Sequence, residues 1–206
     1  MFKGAALSLL LPALVALSAC GGGAATPAAG AAVAAQGVAG NSAIQSLDTA
    51  PASNAQIVYC EQTGGKYELR NAVYGTNGPN PLPLANWAGF CRYTAKDTSR
   101  IYIKIDTLYA VKPTLAVLAY LAKVPTGTCN GNPASCYCTL LGGSDQFGGT
   151  TGAGGGWVLK NSPDPSLEAC IFPDLSSIDS WGLAYHANNI IRGRDLSKVV
   201  RYGKSS

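Results

Sequence analysis

The pattern of hydrophobic and polar positions predicts short helices and strands from residue 54 to the end of the chain. Asn54 and Asn132 each precede a short mixed segment, and asparagine is a favoured helix N-cap. Each segment ends before paired glycines, at Gly64 and Gly142, where helices usually stop. We therefore expect a short helix at each of these two places.

Strand-like segments follow both pairs of glycines. Residues 66–74 (KYELRNAVY) and 156–160 (GWVLK) favour strands, and a second strand carrying Cys91 or Cys170 is expected after each. Further along, Ser177 is a plausible N-cap for a helix with Ile178, Trp181, Leu183 and Tyr185 along roughly one face. Residues 112–123 (KPTLAVLAYLAK) are apolar throughout and predict a buried helix.

An internal repeat relates the two halves of this region. A Tyr-Cys pair followed three residues later by Gly-Gly occurs at Cys60 and again at Cys138, which lies 78 residues further on. The second landmark also recurs, since Cys170 follows Cys91 by 79 residues. Because the offset is nearly constant, we expect an α+β fold made of a duplicated helix-plus-antiparallel-strand unit, with units at 54–125 and 126–206.

The first 19 residues have the layout of a secretory signal, in which Lys3 precedes an apolar run too short for the roughly 20 residues of a membrane span. The next residue is Cys20, and residues 17–20 (LSAC) resemble the lipobox of bacterial lipoproteins. The resemblance implies acylation of Cys20 and cleavage before it. Gly21 then favours the outer membrane, by similarity to sorting in enteric bacteria. An ordinary cleaved signal with a chance cysteine is the alternative.

Residues 20–53 join this anchor to the folded region. They are dominated by alanine and glycine, contain a single charge at Asp48, and predict a flexible tether with a reach of roughly 30 Å. The chain carries a formal net charge of +4, and basic residues are concentrated in residues 192–204. We interpret this basic segment as a solvated end, and an exported protein without a basic aromatic stripe is not expected to bind nucleic acid.

Six cysteines remain once Cys20 is assigned to the lipid, an even number that predicts disulfides in an oxidising compartment. Equivalent positions of a repeat should pair equivalently. The expected bridges are therefore Cys60 with Cys91, Cys138 with Cys170, and Cys129 with Cys136. A zinc site made from Cys129, Cys136, Cys138 and His186 is the competing interpretation, although its spacing does not match a zinc knuckle.

Catalytic motifs are sparse. His186 is the only histidine, so a triad would have to combine it with residues such as Ser144 and Asp179. Ser144 lacks the Gly-x-Ser-x-Gly context of a nucleophile elbow, and the glycine-rich stretch 148–157 matches neither a phosphate-binding nor a dinucleotide-binding motif. We expect no catalytic residue, no metal and no cofactor.

Residues 132–143 (NPASCYCTLLGG) and 170–187 (CIFPDLSSIDSWGLAYHA) resemble a family of small bacterial lipoproteins labelled hemolysins, built on a domain of unknown function. The first unit shares Tyr59, Cys60, Gly64, Gly65 and Cys91 with that pattern, whereas the spacing between the second unit's cysteines is longer and Leu175 replaces a turn glycine. The resemblance implies a small lipoprotein domain without an established catalytic residue or cofactor. The matching residues of the second unit are Tyr137, Cys138, Gly142, Gly143, Cys170, Pro173, Asp174, Asp179 and Trp181.

The sequence thus favours a non-enzymatic binding or structural module, held at the outer membrane by its lipid, with an envelope protein or glycan as partner. Trp87, Trp157 and Trp181 are candidates for stacking on sugar rings, although tryptophans in small domains are more often core residues. An envelope hydrolase using His186 and a membrane-active, hemolysin-like protein are the alternatives.

Overall fold

The computed structural model of the chain describes residues 52–145, 151–159 and 166–204. The predicted signal peptide, Cys20 and nearly all of the tether lie outside the described residues. The helices are α1 (Asn54–Gln62), α2 (Ile105–Tyr109), α3 (Leu115–Ala122), α4 (Pro133–Leu140) and α5 (Ser180–Ala187), followed by a 3-10 helix, Leu196–Lys198. The strands are β1 (Lys66–Tyr74), β2 (Leu82–Thr94), β3 (Arg100–Lys104), β4 (Gly155–Leu159), β5 (Ala169–Ile171) and β6 (Ser177–Asp179). The predicted α+β class is confirmed.

All six strands form one antiparallel sheet in the order β4-β1-β2-β3-β6-β5. The sheet curls until its two edges meet, because Trp157 of β4 and Leu167, just before β5, exchange two backbone hydrogen bonds of 2.9 and 2.8 Å. The halves of the chain contribute three strands each to this single sheet. The duplication of one unit remains a prediction.

Side-chain caps fix the start of α1 and α4. Gln56 N donates to the Ser53 hydroxyl while Ser53 N donates to Gln56 Oε1, which forms a capping box one residue before the predicted cap at Asn54. Asn132 caps α4 as predicted, since its side chain accepts from Ala134 N and Ser135 N. Both helices stop at a glycine with positive φ, +84° at Gly64 and +83° at Gly142.

Three disulfides join the predicted pairs, Cys60–Cys91, Cys138–Cys170 and Cys129–Cys136. The first ties α1 to β2 and the second ties α4 to β5, so each long bridge fastens a helix to the outer face of the sheet. A Cβ atom on Gly65 would collide with Cys91 Sγ, and one on Gly143 would collide with Cys170 Sγ. Glycine is therefore required beside both long disulfides.

The larger hydrophobic core lies between the helices and the outer face of the sheet. It joins strand residues such as Ile103 and Ile178 to helix residues such as Leu108, Val117 and Leu183. α3 is only half buried, because Leu115, Leu118 and Leu121 are each 43% exposed. The helix predicted over 112–123 is present as Leu115–Ala122, but it is buried on one face only.

The basic segment at the end of the chain combines buried apolar residues with exposed basic ones. Leu196, Val199 and Val200 are buried in the larger core, and the Tyr59 hydroxyl donates to the Val199 carbonyl at 2.9 Å. The guanidinium of Arg201 lies 4.2 Å from the ring centroid of Tyr109. Arg194, Lys198 and Lys204 are exposed, as a solvated end would have them, but the apolar residues between them attach the segment to the core.

Candidate functional site

The inner face of the curled sheet carries a second, smaller core and most of the buried charge. Because side chains alternate between faces, Phe90, Arg92 and Tyr102 point inward while Cys91 and Ile103 point outward. Phe90 pairs with Lys104, and Ile171 pairs with Ser177. These residues form one level of the inner face. The next inward-facing level is two residues further along each strand, where Arg92 pairs with Tyr102 and Ala169 pairs with Asp179. The first level is largely apolar, whereas the second is polar.

The polar level opens into a pocket of about 410 Å³, here called the polar pocket. Its side chains come from β3, from the segment leading into β5, from the junction of β6 with α5 and from the segment after α5. Clefts of this size with a few convergent polar groups are typical of ligand sites. The chemically important lining residues are Arg100, Tyr102, Glu168, Asp179, Trp181 and Arg192.

Asp179 is the most perturbed ionisable group of the polar pocket. Only 5% of the residue is exposed, and its Oδ1 accepts a hydrogen bond of 3.1 Å from Gly182 N, which caps α5. Burial raises the pKa of Asp179 to about 6, against the opposing effects of the Gly182 hydrogen bond and the charge of Arg192. A carboxyl group held in this way inside a cleft is typical of a functional site.

A buried ion network lies on the inner face behind the pocket. Arg70, 1% exposed, has Nη2 at 2.7 Å from Glu68 Oε2, and Arg92 Nη1 lies 2.9 Å from Glu68 Oε1. Arg70 Nη1 also donates to the Trp157 carbonyl at 3.2 Å, and its guanidinium lies 4.7 Å from the Tyr102 ring centroid. The network therefore fixes the position of Tyr102, which lines the polar pocket.

Tyr102 and Trp181 are the aromatic residues that line the polar pocket. Trp181 is partly exposed, its ring centroid lies 6.0 Å from that of Tyr185, and the Arg192 guanidinium lies 5.1 Å from the Tyr185 ring. The other two tryptophans are placed differently. Trp157 packs edge to face on Phe90 at 5.5 Å in the smaller core, and Trp87 borders a separate cavity. Of the three predicted candidates, Trp181 is the one placed for stacking on a ligand in the polar pocket.

The separate cavity lies at the apolar level of the inner face and has a volume of about 260 Å³. Six apolar residues, Leu84, Ala88, Phe90, Trp157, Ile171 and Leu175, form most of its walls. Lys104 and Ser177 are among its few polar lining residues. We call this space the apolar cavity.

The structure does not assemble the candidate triad. Asp179 caps the start of α5 and His186 lies near its end, so seven residues of helix separate them by about 10 Å. His186 is buried and stacked on Tyr120, with ring centroids 3.7 Å apart, and burial lowers its pKa. Ser144 is exposed and bridges Ile171 through its backbone. Asp179 thus belongs to the polar pocket, whereas His186 belongs to the packing of α5 on α3.

The zinc interpretation was wrong, because Cys129, Cys136 and Cys138 are all in disulfides and supply no thiolate. Across residues 52–145, 151–159 and 166–204, no three histidine, cysteine or acidic side chains are placed to hold a metal ion. In the same part of the chain, no helix has the length and apolar character needed to cross a membrane.

The sequence did not identify the polar pocket. Glu68 and Arg70 alternate with Tyr67 and Leu69, a pattern that normally places the charges in solvent. The structure instead turns the charged face inward and covers the Cys91 face with helices. Opposite charges on successive inward-facing positions of one strand, Glu68 and Arg70, were the available signal.

Asp179→Asn is expected to stabilise the folded protein near neutral pH. The pKa of Asp179 is about 6 when folded against 3.8 ordinarily, so its contribution to stability is complete below 3.8 and is lost as pH rises through about 6. Asparagine does not ionise and still caps a helix. At about 1.4 kcal/mol per pKa unit, the gain at pH 7.5 should be on the order of 1 to 3 kcal/mol.

Urea unfolding of both proteins at pH 7.5 and pH 3.5 measures this difference. The gain should disappear at pH 3.5, where the wild-type carboxyl is also neutral. A variant less stable than wild type at pH 7.5 would contradict the prediction and mean that the nearby arginines outweigh burial.

No protein-family model matches the chain, and no curated protein or solved structure matches it either.

Proposed function

We propose that this protein is a binding module of the cell envelope that holds a saccharide unit in the polar pocket. The observation that carries the proposal is the convergence of Trp181, two guanidinium groups and two carboxyl groups, from separate segments, around one cleft of about 410 Å³. A sugar ring presents hydroxyl groups that both donate and accept hydrogen bonds, and an apolar face of C–H groups. The pocket offers a complement to each.

Each kind of group on a sugar ring has a matching residue in the polar pocket. The carboxyl oxygens of Glu168 and Asp179 accept hydrogen bonds from sugar hydroxyls. The guanidinium groups of Arg100 and Arg192 donate hydrogen bonds to the oxygens of those hydroxyls. Trp181 offers an aromatic face for the apolar side of the ring. The rigid inner network of Glu68, Arg70 and Arg92 supports this proposal, since a fixed Tyr102 lowers the entropy lost on binding.

The remaining part of the proposal comes from the sequence. Acylation of Cys20 and the tether of residues 20–53 place the domain at the outer membrane, within reach of envelope glycans. The hemolysin-labelled lipoproteins that the chain resembles are proposed as its relatives, and the two units at 54–125 and 126–206 as products of a duplication. The protein is proposed to bind its ligand without transforming it.

Trp181→Ala is expected to weaken binding of a matching envelope oligosaccharide by about tenfold, the equivalent of one lost aromatic contact. The full mature chain, purified in detergent, is titrated by calorimetry with soluble peptidoglycan fragments and with outer-membrane core oligosaccharides. Trp87→Ala is the matched control, because Trp87 is also partly buried but borders the apolar cavity.

Equal losses in the two variants, or no binding by the wild-type chain, would contradict the saccharide proposal. Release of a cleaved product that His186→Ala abolishes would instead favour an envelope hydrolase. Leakage of dye from lipid vesicles, unaffected by Trp181→Ala, would favour the membrane-active alternative.

A further inference from the structure

The apolar cavity has the character of a ligand site that is separate from the polar pocket. Its walls come from β2, β4, β5 and the turn before β6, at the level of Phe90 on the inner face of the sheet. Its volume of about 260 Å³ exceeds the roughly 150 Å³ of an engineered apolar cavity that binds benzene. The cavity is partly open to solvent, since Leu175 at its wall is 37% exposed, and a ligand can enter from that side.

A buried hydroxyl group at the cavity provides an independent sign of a missing partner. Ser177 is 2% exposed, and within the described part of the chain its Oγ has no hydrogen-bond partner. The backbone N–H of Ser177 donates a hydrogen bond to Thr107 Oγ1 at 3.0 Å, so the hydroxyl is the polar group that lacks a partner. An unpaired buried hydroxyl destabilises the folded protein, and a polar atom of a ligand would recover that loss.

Lys104 supplies a positive charge at the same level. Its side chain is 15% exposed, and Nζ lies 3.6 Å from Asp106 Oδ2 and 3.4 Å from the Leu175 carbonyl. Both distances are long for a charge-assisted hydrogen bond, which is usually below 3 Å. Asp106 also accepts from Gln56 Nε2 at 2.6 Å. The ammonium group can therefore take a closer anionic partner.

We propose that the apolar cavity binds a single aliphatic chain ending in a carboxylate, with the chain among Phe90, Trp157 and Ile171. The carboxylate would pair with Lys104 and accept a hydrogen bond from Ser177. If a methylene takes about the 30 Å³ of a liquid water molecule, the cavity holds roughly eight or nine carbons. A two-chain phospholipid is too large, so the ligand is a free fatty acid.

Decanoate is the probe, added to the intact protein while tryptophan fluorescence and calorimetry are recorded. Binding should have a negative heat-capacity change and should protect the fold against urea. Decanol, which lacks the charge, and decyltrimethylammonium, which reverses it, should bind at least about tenfold more weakly, the equivalent of one charge-assisted contact.

Lys104→Met keeps the length of the side chain and removes the charge, so it should weaken decanoate about tenfold while leaving decanol unchanged. Ala88→Leu fills the cavity and should abolish binding of both. Trp181→Ala should leave decanoate binding intact, which separates this result from the saccharide proposal. If Ala88→Leu folds, as judged by its urea midpoint, but still binds decanoate, the proposal is overturned. Equal affinity for decanoate and decanol would overturn the assignment of Lys104.

Decanoate binding that requires micelles, with none below the critical micelle concentration, would also count against a built site. The titration is repeated with a soluble monoacyl peptide, whose acyl chain is amide-linked and therefore carries no carboxylate. Binding of decanoate alone supports a free fatty acid, whereas equal or tighter binding of the peptide would overturn the pairing of a carboxylate with Lys104.

Discussion

Arg70→Ala is expected to lower the free energy of unfolding by about 3 to 5 kcal/mol, the largest effect of a single substitution in this protein. Glu68 has a side chain only 2% exposed, and Arg70 holds its Oε2 at 2.7 Å. Removal of Arg70 also takes away a donor to the Trp157 carbonyl and a cation packed on Tyr102. A buried carboxylate would remain with part of its partners gone.

Urea unfolding at pH 7.5 measures the loss. Lys198→Ala is the matched control, since Lys198 Nζ lies 3.8 Å from Asp195 Oδ2 but the Lys198 side chain is 75% exposed. An exposed pair should contribute less than about 1 kcal/mol. Similar losses in the two variants would show that the inner-face network does not stabilise the fold.

Removal of either long disulfide is the second large expected effect. Cys60 and Cys91 are separated by 31 residues and Cys138 and Cys170 by 32, whereas Cys129 and Cys136 are separated by 7. Closing the longer loops should contribute about 3.7 kcal/mol each, and the short loop about 2.5 kcal/mol. Double substitution to alanine should therefore cost more for either long bridge than for the short one.

Denaturant titrations of the three double variants measure these costs. A second readout is the order of reduction by dithiothreitol under native conditions. Cys129 and Cys136 are partly exposed and should be reduced first, while the fully buried Cys60 and Cys138 should resist. Early reduction of a long bridge would contradict the fixed attachment of helix to sheet.

Local signals in the sequence predicted the elements whose geometry is set by neighbouring residues. β1 was predicted over 66–74 because its side chains alternate, and the disulfides followed from the repeat. The start of α5 was wrong. Ser177 was predicted as the cap and Ile178 as a helical residue, but they pair with Ile171 and Ile103 in the sheet, and Asp179 is the cap.

The candidate site was less predictable because it depends on which face of the sheet is covered. Period-two alternation identifies two faces but does not say which one receives the helices. The charged residues at 68, 70 and 92 become interior only because Trp157 meets Leu167 at the far edges of the sheet. Trp157 and Leu167 are close in sequence, but they lie at opposite edges of the sheet, and no local pattern encodes the closure that brings these edges together.

The meeting of the sheet edges also bears on how the protein behaves when crowded. An open edge strand is a template for pairing with another copy, and lipid-anchored molecules, as proposed here, are concentrated in two dimensions. Trp157 occupies the outer side of β4 by bonding Leu167, and Ser144 bonds Ile171 of the short strand β5. These contacts protect the protein from edge-to-edge aggregation on a densely populated membrane.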